Sequence, residues 1–295
     1  MKSSNILRQK VRKKIRLFLQ LIKFSIILPV AFLTYAGYTV YHGKADMNLF
    51  LSCLGVFLLA GAASVLNQVI ELKYDSLMTR TGSRPLPSGA ISKKNALIIA
   101  LLMSAAGVLV LIPVSYVCVL LGIFNLLWYI GVYTLLKRKT PFAVIPGSIT
   151  GAIPVLIGYA GAGGSFMAPE AVYIAVFVFI WQIPHFWLLS LIYKDDYSIA
   201  GFPTLFDFFN EKQIRWWTVA WILCACIISL GTWQYGIVKS YNTAIMVLIG
   251  NIALMALAYQ FLINKPAAKG FRYLFHLINF FMVLILLSIS VERLG

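Results

Sequence analysis

The stretch NQVIELKYDSLMTRTGSRPL, Asn67 to Leu86, continues an apolar run from about residue 49 and then breaks into a charged loop. A run of that length is what a helix needs to cross a bilayer, so the stretch reads as the end of a membrane span. Asn67, Glu71 and Asp75 follow one another at four-residue spacing, and Arg80 and Arg84 repeat that interval. Four residues is close to one helical turn, so a helix persisting through Asp75 sets the amide and both carboxylates on one stripe. Two acids alone on a stripe repel each other, and polar groups inside a span are costly. A bound divalent cation accounts for both. Arginines beside a carboxylate-bound Mg²⁺ are also what a diphosphate needs, with the metal neutralising some phosphate oxygens and guanidinium forks binding others. Pro85 and Pro87 end the helix and stiffen its exit. An ordinary charged loop would leave Asn67 and Glu71 unexplained.

Outward from this stretch the chain is as apolar as its reading requires. Of 295 residues, 61% are hydrophobic and only 12% charged, against roughly a quarter charged in soluble domains. Nine apolar segments, at about 24–41, 49–70, 95–114, 116–136, 142–162, 170–192, 215–236, 241–263 and 271–291, each approach bilayer-spanning length. The expected fold is therefore all-α: nine transmembrane helices in a bundle around a central cavity open toward the cytoplasmic side. If the spans alternate, twenty-two basic residues fall on one side and only Lys44, Lys239 and Arg293 on the other. The positive-inside rule then predicts a cytoplasmic N-terminus and an extracytoplasmic C-terminus. The net charge of +16 is thus topological, and no nucleic-acid partner is implied.

Residues 1–23 form a basic cytoplasmic segment ahead of the nine-span domain, 24–295. Bases alternate there with Ile6, Leu7, Val11, Ile15, Leu17 and Phe18, a pattern that also suits an amphipathic helix on anionic lipid. The head is too long for a signal peptide. Cys53, Cys118, Cys224 and Cys226 lie in apolar segments and read as small hydrophobes. Six of the nine acids fall in the two long loops, 71–94 and 193–214, which places the chemistry at the cytoplasmic face.

The second loop carries YKDDYSIAGFPTL, Tyr193 to Leu205. Asp195 and Asp196 are adjacent, about 100° apart on a helix, so they cannot serve one ion equivalently. One is expected to reach the metal or diphosphate and the other to pair with a base. Gly201 and Pro203 shape a turn, and Asp207 and Glu211 read as surface or cap residues. A third loop, YTLLKRKTP, Tyr133 to Pro141, brings Lys137, Arg138 and Lys139 to the same face, as a topology signal or as contacts for an anion. Upstream of the second loop, WQIPHFW, Trp181 to Trp187, interrupts an apolar span with Pro184 and His185. Such an interruption often lines a cavity. His185 is open to contact with a carboxylate, ligation of iron, or a hydrogen bond to another helix. Trp181, Phe186 and Trp187 suit either an apolar pocket wall or a lipid-facing surface. His42 and His276 read as structural, and GSITGAIP, Gly147 to Pro154, suits close helix packing or the floor of a pocket.

Taken together, these stretches resemble the intramembrane aromatic prenyltransferase superfamily and, more narrowly, its heme branch, the protoheme IX farnesyltransferases. The match rests on NxxxExxxDxxMxRTxxRPLP from Asn67 to Pro87, on YTLLKRKTP, on WQIPHFW and on DYxxAGxPxL from Asp196 to Leu205. It covers roughly residues 20–290. The resemblance implies farnesyl transfer from farnesyl diphosphate to a vinyl group of heme B with addition of water, giving heme O and diphosphate. It implies Mg²⁺ held by Asn67, Glu71, Asp75 and Asp196, with Arg80, Arg84 and Asp195 in the catalytic set. It implies substrate contacts from Tyr133, Lys137, Arg138, Lys139, Trp181, His185 and Tyr197. It further implies a multi-pass protein of the bacterial cell membrane, with a heme A synthase as candidate recipient of the product. Two features depart from the pattern. The second loop has the adjacent Asp195 and Asp196 in place of a DxxxD-like motif, and Thr204 stands where the heme branch often has Met. A prenyltransferase acting on a quinone precursor is the nearest alternative. A transporter is disfavoured by outer loops nearly empty of charge, and a purely structural role leaves the acid–arginine stripe unexplained.

Overall fold

The computed structural model describes residues 2–294. Among them nine helices are long and apolar enough to cross a membrane, numbered here as spans one to nine: Phe24–Tyr41, Met47–Ile70, Lys93–Leu111, Tyr116–Leu136, Pro141–Gly161, Pro169–Ile192, Glu211–Gln234, Tyr241–Asn264 and Ala268–Arg293. The described chain contains no strand. A further helix, Lys2–Leu21, precedes span one. Caps mark the starts where the sequence supplies them. The Asp46 carboxylate accepts from Leu49 N at 2.9 Å ahead of span two, Ser92 accepts from Asn95 N ahead of span three, and Asn210 and Gln213 form a reciprocal capping box ahead of span seven.

Spans one and five run against each other near the middle of the bundle, and span six packs on span five. Spans two, three and four gather on one side, and spans seven, eight and nine on the other, with span nine returning to touch span one. Lipid tails are as apolar as leucine, so helix contact here depends on close packing more than on the hydrophobic effect. Glycines permit it. A methyl group built on Gly37 of span one would lie 2.0 Å from Val155 O of span five, and one on Gly158 would lie 1.9 Å from Thr34 O. The backbones of these two spans are thus in direct contact. The largest apolar cluster, which includes Phe177, Leu188, Ile214, Leu274 and Ile278, joins spans one and five to the six–nine half. A second cluster holds Leu21 and Ile22 against Ile27, Ala62, Val65 and Leu86, and so ties the end of the N-terminal helix to spans one, two and three.

The connections 71–92, 137–140, 193–210 and 265–267 share one end of the bundle, called here the basic end. Lys23 stands at the same end, between the first helix and span one, in the left-handed backbone region at φ 55°. A non-glycine residue held there is strained, a state that persists where surrounding contacts over-determine it.

Candidate functional site at the basic end

Span two ends at Ile70, Glu71 takes a non-helical turn, and a four-residue helix, Leu72–Asp75, follows. The one-turn hydrogen-bond ladder nevertheless continues, with Glu71 N to Asn67 O at 2.9 Å and Asp75 N to Glu71 O at 2.8 Å. Asn67, Glu71 and Asp75 therefore stay in step on the same side of the chain. Their exposures are only 2%, 4% and 5%, and buried acids demand partners. Each residue of the stripe finds a cation from elsewhere in the chain. Lys137 Nζ lies 2.6 Å from both Glu71 oxygens and donates to Oε2. Arg84 donates to Asp75 Oδ2 at 2.9 Å. Lys23 donates to Asn67 Oδ1 at 3.3 Å.

The other end of the Asn67 amide is equally fixed. Its Nδ2 donates to Thr134 Oγ1 at 3.3 Å, and the Thr134 hydroxyl donates to Tyr129 O at 2.8 Å. The same carbonyl accepts the Thr134 backbone N–H, because span four changes to a π-helix over Trp128–Tyr133, a local widening found frequently at functional sites. Lys23 feels the crowding of positive charge. Burial, then the neighbouring Arg84 and Lys137, lower its pKa to about 7, so it is half-protonated near neutrality.

The two long loops meet above this array. Asp196 accepts from the backbone N–H groups of Thr79 and Arg80, both at 3.3 Å. Met78, Ala200 and Phe202 are buried together, with Tyr74 and Tyr197 packed against them. Gly201, at φ +72°, supplies the turn. Burial raises the Tyr197 hydroxyl pKa, opposed by the nearby Arg80. Arg80 itself is exposed, with its guanidinium 4.9 Å from the centre of the Tyr193 ring. Asp195 and Lys139 are exposed. Arg138 is used structurally: it donates to Ile70 O at 2.7 Å, satisfying a carbonyl at the end of span two, and lies 4.9 Å from the Tyr74 ring centre. Asp207 caps the turn at Thr204, and Glu211 pairs with Arg215.

Tyr133 connects this array to an aromatic compartment. Lys137 Nζ is 5.5 Å from its ring centre, and the centre of the Phe186 ring is 6.3 Å away. Beyond Phe186 stands His185, with Trp181 at 5.0 Å and Phe275 at 4.7 Å between ring centres. Trp181 is buried and donates its indole N–H to Ile278 O at 2.9 Å, so spans six and nine are tied there. His185 Nδ1 meets Asn279 Oδ1 of span nine at 2.8 Å.

The structure thus gathers Asn67, Glu71, Asp75, Arg84, Lys137 and Tyr133, with Asp196, Arg80 and Tyr197 in the loops above and Trp181 and His185 beyond Phe186. Lys139 and Asp195 stay at the surface. A cavity of about 530 Å³ at the same end is lined by Val69, Leu72, Lys73, Ser76, Leu86 and Lys93, none of them an acid of the stripe. Sequence reading missed Lys23, Thr134 and Asn279. Asn279 carried a signal, an amide in an apolar span; Lys23 was one base among eight in its segment. Among the described residues no three His, Cys, Asp or Glu side chains come together to hold a metal. Two carboxylates and an amide suit Mg²⁺ all the same, because that ion takes hard oxygen donors, usually one or two carboxylates completed by substrate phosphates and water. The buried Glu71 carboxylate, held only by Lys137, is a donor of the right kind.

Comparison with known proteins gives a consistent assignment. The model of the UbiA prenyltransferase family matches residues 27–285. Among curated relatives, the protoheme IX farnesyltransferase of Geobacter sulfurreducens is 41% identical over 57% of this chain and 62% of that protein. The protein of the same name from Bartonella henselae is 32% identical over 91% of this chain and 89% of its own length. That of Aquifex aeolicus is 32% identical over 90% and 91%. Among solved structures, a digeranylgeranylglyceryl phosphate synthase aligns with a TM-score of 0.77 at 17% identity, covering 96% of this chain and 99% of that one. A UbiA homolog from Archaeoglobus fulgidus bound to GPP and Mg²⁺ aligns with a TM-score of 0.70 at 14% identity, over 94% and 99%.

Proposed function

Because the chain belongs to the UbiA prenyltransferase family, we propose that it transfers a farnesyl group from farnesyl diphosphate to a vinyl group of heme B, with addition of water, yielding heme O and diphosphate. The observation that carries the reading is the buried stripe of Asn67, Glu71 and Asp75, each matched by a cation and placed beside an aromatic compartment. The names of the curated relatives support farnesyl and heme as the groups joined.

The cations serve two states. Without substrate, Lys137 and Arg84 neutralise Glu71 and Asp75. When a diphosphate enters, the same bases turn to its oxygens and free the carboxylates. Asn67, Glu71 and Asp75 would then hold Mg²⁺, which when bound neutralises the leaving diphosphate. Arg80, Arg84, Lys137 and Lys23 then take up the negative charge that grows as the allylic C–O bond breaks and its electron pair goes to the diphosphate. Asp196 works through the loop, because its two hydrogen bonds fix the backbone that carries Arg80. The farnesyl chain extends toward Tyr133, Phe186 and Trp181, whose apolar faces keep water from the allylic cation. The vinyl π pair forms the new carbon–carbon bond, leaving a porphyrin-stabilised cation; water adds there and loses a proton. Lys139, exposed at the same end, is free for a heme propionate.

In this reading the basic end is cytoplasmic in a bacterial cell membrane, and the product passes on to a heme A synthase. The test is mass spectrometry of hemes from membranes that otherwise contain only heme B, after expression of this chain. A farnesyl-plus-water adduct supports the reaction. Heme B left unmodified, with 4-hydroxybenzoate prenylated in a parallel incubation, overturns it in favour of a quinone precursor.

A further inference from the structure

His185 is the polar group that the diphosphate chemistry leaves unused, and its hydrogen bonding defines its chemical state. The Asn279 amide nitrogen donates to Phe275 O at 2.6 Å, so the atom turned toward the histidine is the amide oxygen. That oxygen only accepts, and it lies 2.8 Å from His185 Nδ1. The proton of the neutral imidazole therefore sits on Nδ1, and Nε2 carries a lone pair in the ring plane.

Among the described residues no donor reaches Nε2. The Trp181 indole N–H is committed to Ile278 O, and the Phe186 and Phe275 rings also flank the imidazole. An imine nitrogen left without a protein donor beside aromatic rings is open to a partner from outside the chain: a hydrogen-bond donor, a proton or a metal ion. A proton would place a cation among aromatic rings inside a span. A metal ion already carried by a flat, apolar ligand would take the lone pair without adding charge to the histidine. Metal-bound histidines characteristically donate their other N–H to a fixed acceptor, which holds the ring and raises its basicity. Asn279 is such an acceptor.

We propose that His185 holds the heme acceptor by donating the Nε2 lone pair to its iron as an axial ligand, with Asn279 as positioning residue. The proposal rests on the heme reading above. One coordinate bond forms, any weakly held water leaves the iron, and no electron or proton is transferred. The bond fixes the porphyrin one aromatic ring, Phe186, away from Tyr133 and the phosphate-binding bases, and so brings a vinyl group toward the allylic carbon. It also gives specificity: a phenolic acceptor can offer Nε2 only a hydrogen bond from its hydroxyl, not a coordinate bond.

The experiment uses the full chain in lipid nanodiscs, titrated with iron protoporphyrin IX and separately with the metal-free porphyrin. The wild type is expected to give an absorption and EPR signature of histidine ligation and to bind the iron form at least about tenfold more tightly. His185→Ala should lose the signature, and added imidazole should restore it. Asn279→Leu should keep the ligand but raise the reduction potential of the bound heme, because an imidazole without its acceptor is a weaker donor. Equal wild-type affinity for the two porphyrins, a measurement that needs no variant, would overturn the proposal. So would an unchanged heme spectrum in His185→Ala, or an unchanged potential in Asn279→Leu. A wild type that binds neither porphyrin yet prenylates a phenol would remove the heme reading itself, and the ligand role with it.

Discussion

Glu71 and Asp75 are nearly excluded from solvent and each is held by one base. Breaking a buried pair by removing one charge leaves the other uncompensated and typically costs about 3–5 kcal/mol. Asp75→Asn keeps the shape and removes the charge. Farnesyl transfer by this variant is expected to fall at least about a hundredfold, as a loss of 2.7 kcal/mol or more would give, and full activity at saturating Mg²⁺ would refute the assigned role. Lys23 makes a prediction with a sign. Its pKa is lowered to about 7, so the substrate-free enzyme carries this charge below about pH 7 and loses it above. Affinity for farnesyl diphosphate should therefore weaken as pH rises through 7. In Lys23→Gln affinity should be lower by roughly tenfold at acid pH, the worth of one charge-assisted hydrogen bond, with that pH limb gone. Binding isotherms for the two proteins between about pH 6 and 8.5 check it; the wild-type slope persisting in Lys23→Gln would exclude Lys23 as its origin. The acids and arginines were legible because their spacing is local. Lys23 was not, since only the folded bundle brings residue 23 beside residue 67.

At the scale of elements, apolar length predicted all nine spans, and the observed helices begin and end within a few residues of the expected positions. The π-helices at Trp128–Tyr133 and Gln260–Asn264 had no such signal. They shift the register of a hydrogen-bond ladder and leave hydropathy unchanged. The expected helix through Asp75 is interrupted at Glu71, yet the stripe survives because the next hydrogen bonds retain the one-turn spacing. GSITGAIP suggested close packing, and its continuation to Gly158 shows how close. Gly158→Ala would drive a methyl group into Thr34 O, and overpacking of this kind costs about 1–3 kcal/mol. A lower midpoint of thermal unfolding in detergent is expected, with the span one–span five contact as the point of failure; an unchanged midpoint would mean that the crossing relaxes freely.

At the scale of the whole molecule, charge is sorted by end. Twenty-two of the twenty-five Lys and Arg residues belong to one side of the alternating spans, and the array at Asn67, Glu71 and Asp75 lies at that side. A reporter enzyme active only outside the cytoplasm is expected to work when fused after Gly295 and to fail when fused after Lys139. The reverse pattern would invert the molecule and move the site to the outer face. The bundle was readable from composition alone. The division of labour among its bases was not: Lys137 and Arg84 hold carboxylates, Arg138 closes the end of a helix, and Lys139 is free. Those roles depend on which loop lies beside which, and no local pattern encodes that.

The joining of two loops by Asp196 and by the Met78–Phe202 cluster has a temporal consequence. Thr79 and Arg80 give their amide protons to a residue 116 or 117 positions away, so lifting either loop alone breaks these bonds and uncovers the shared cluster. Opening is therefore expected to be one event with one rate. Amide exchange across 76–84 and 196–202 should accelerate by the same factor in Asp196→Asn, and diphosphate escape should quicken with it. Separate rates for the two segments in the wild type would show two independent flaps in place of a single clasp.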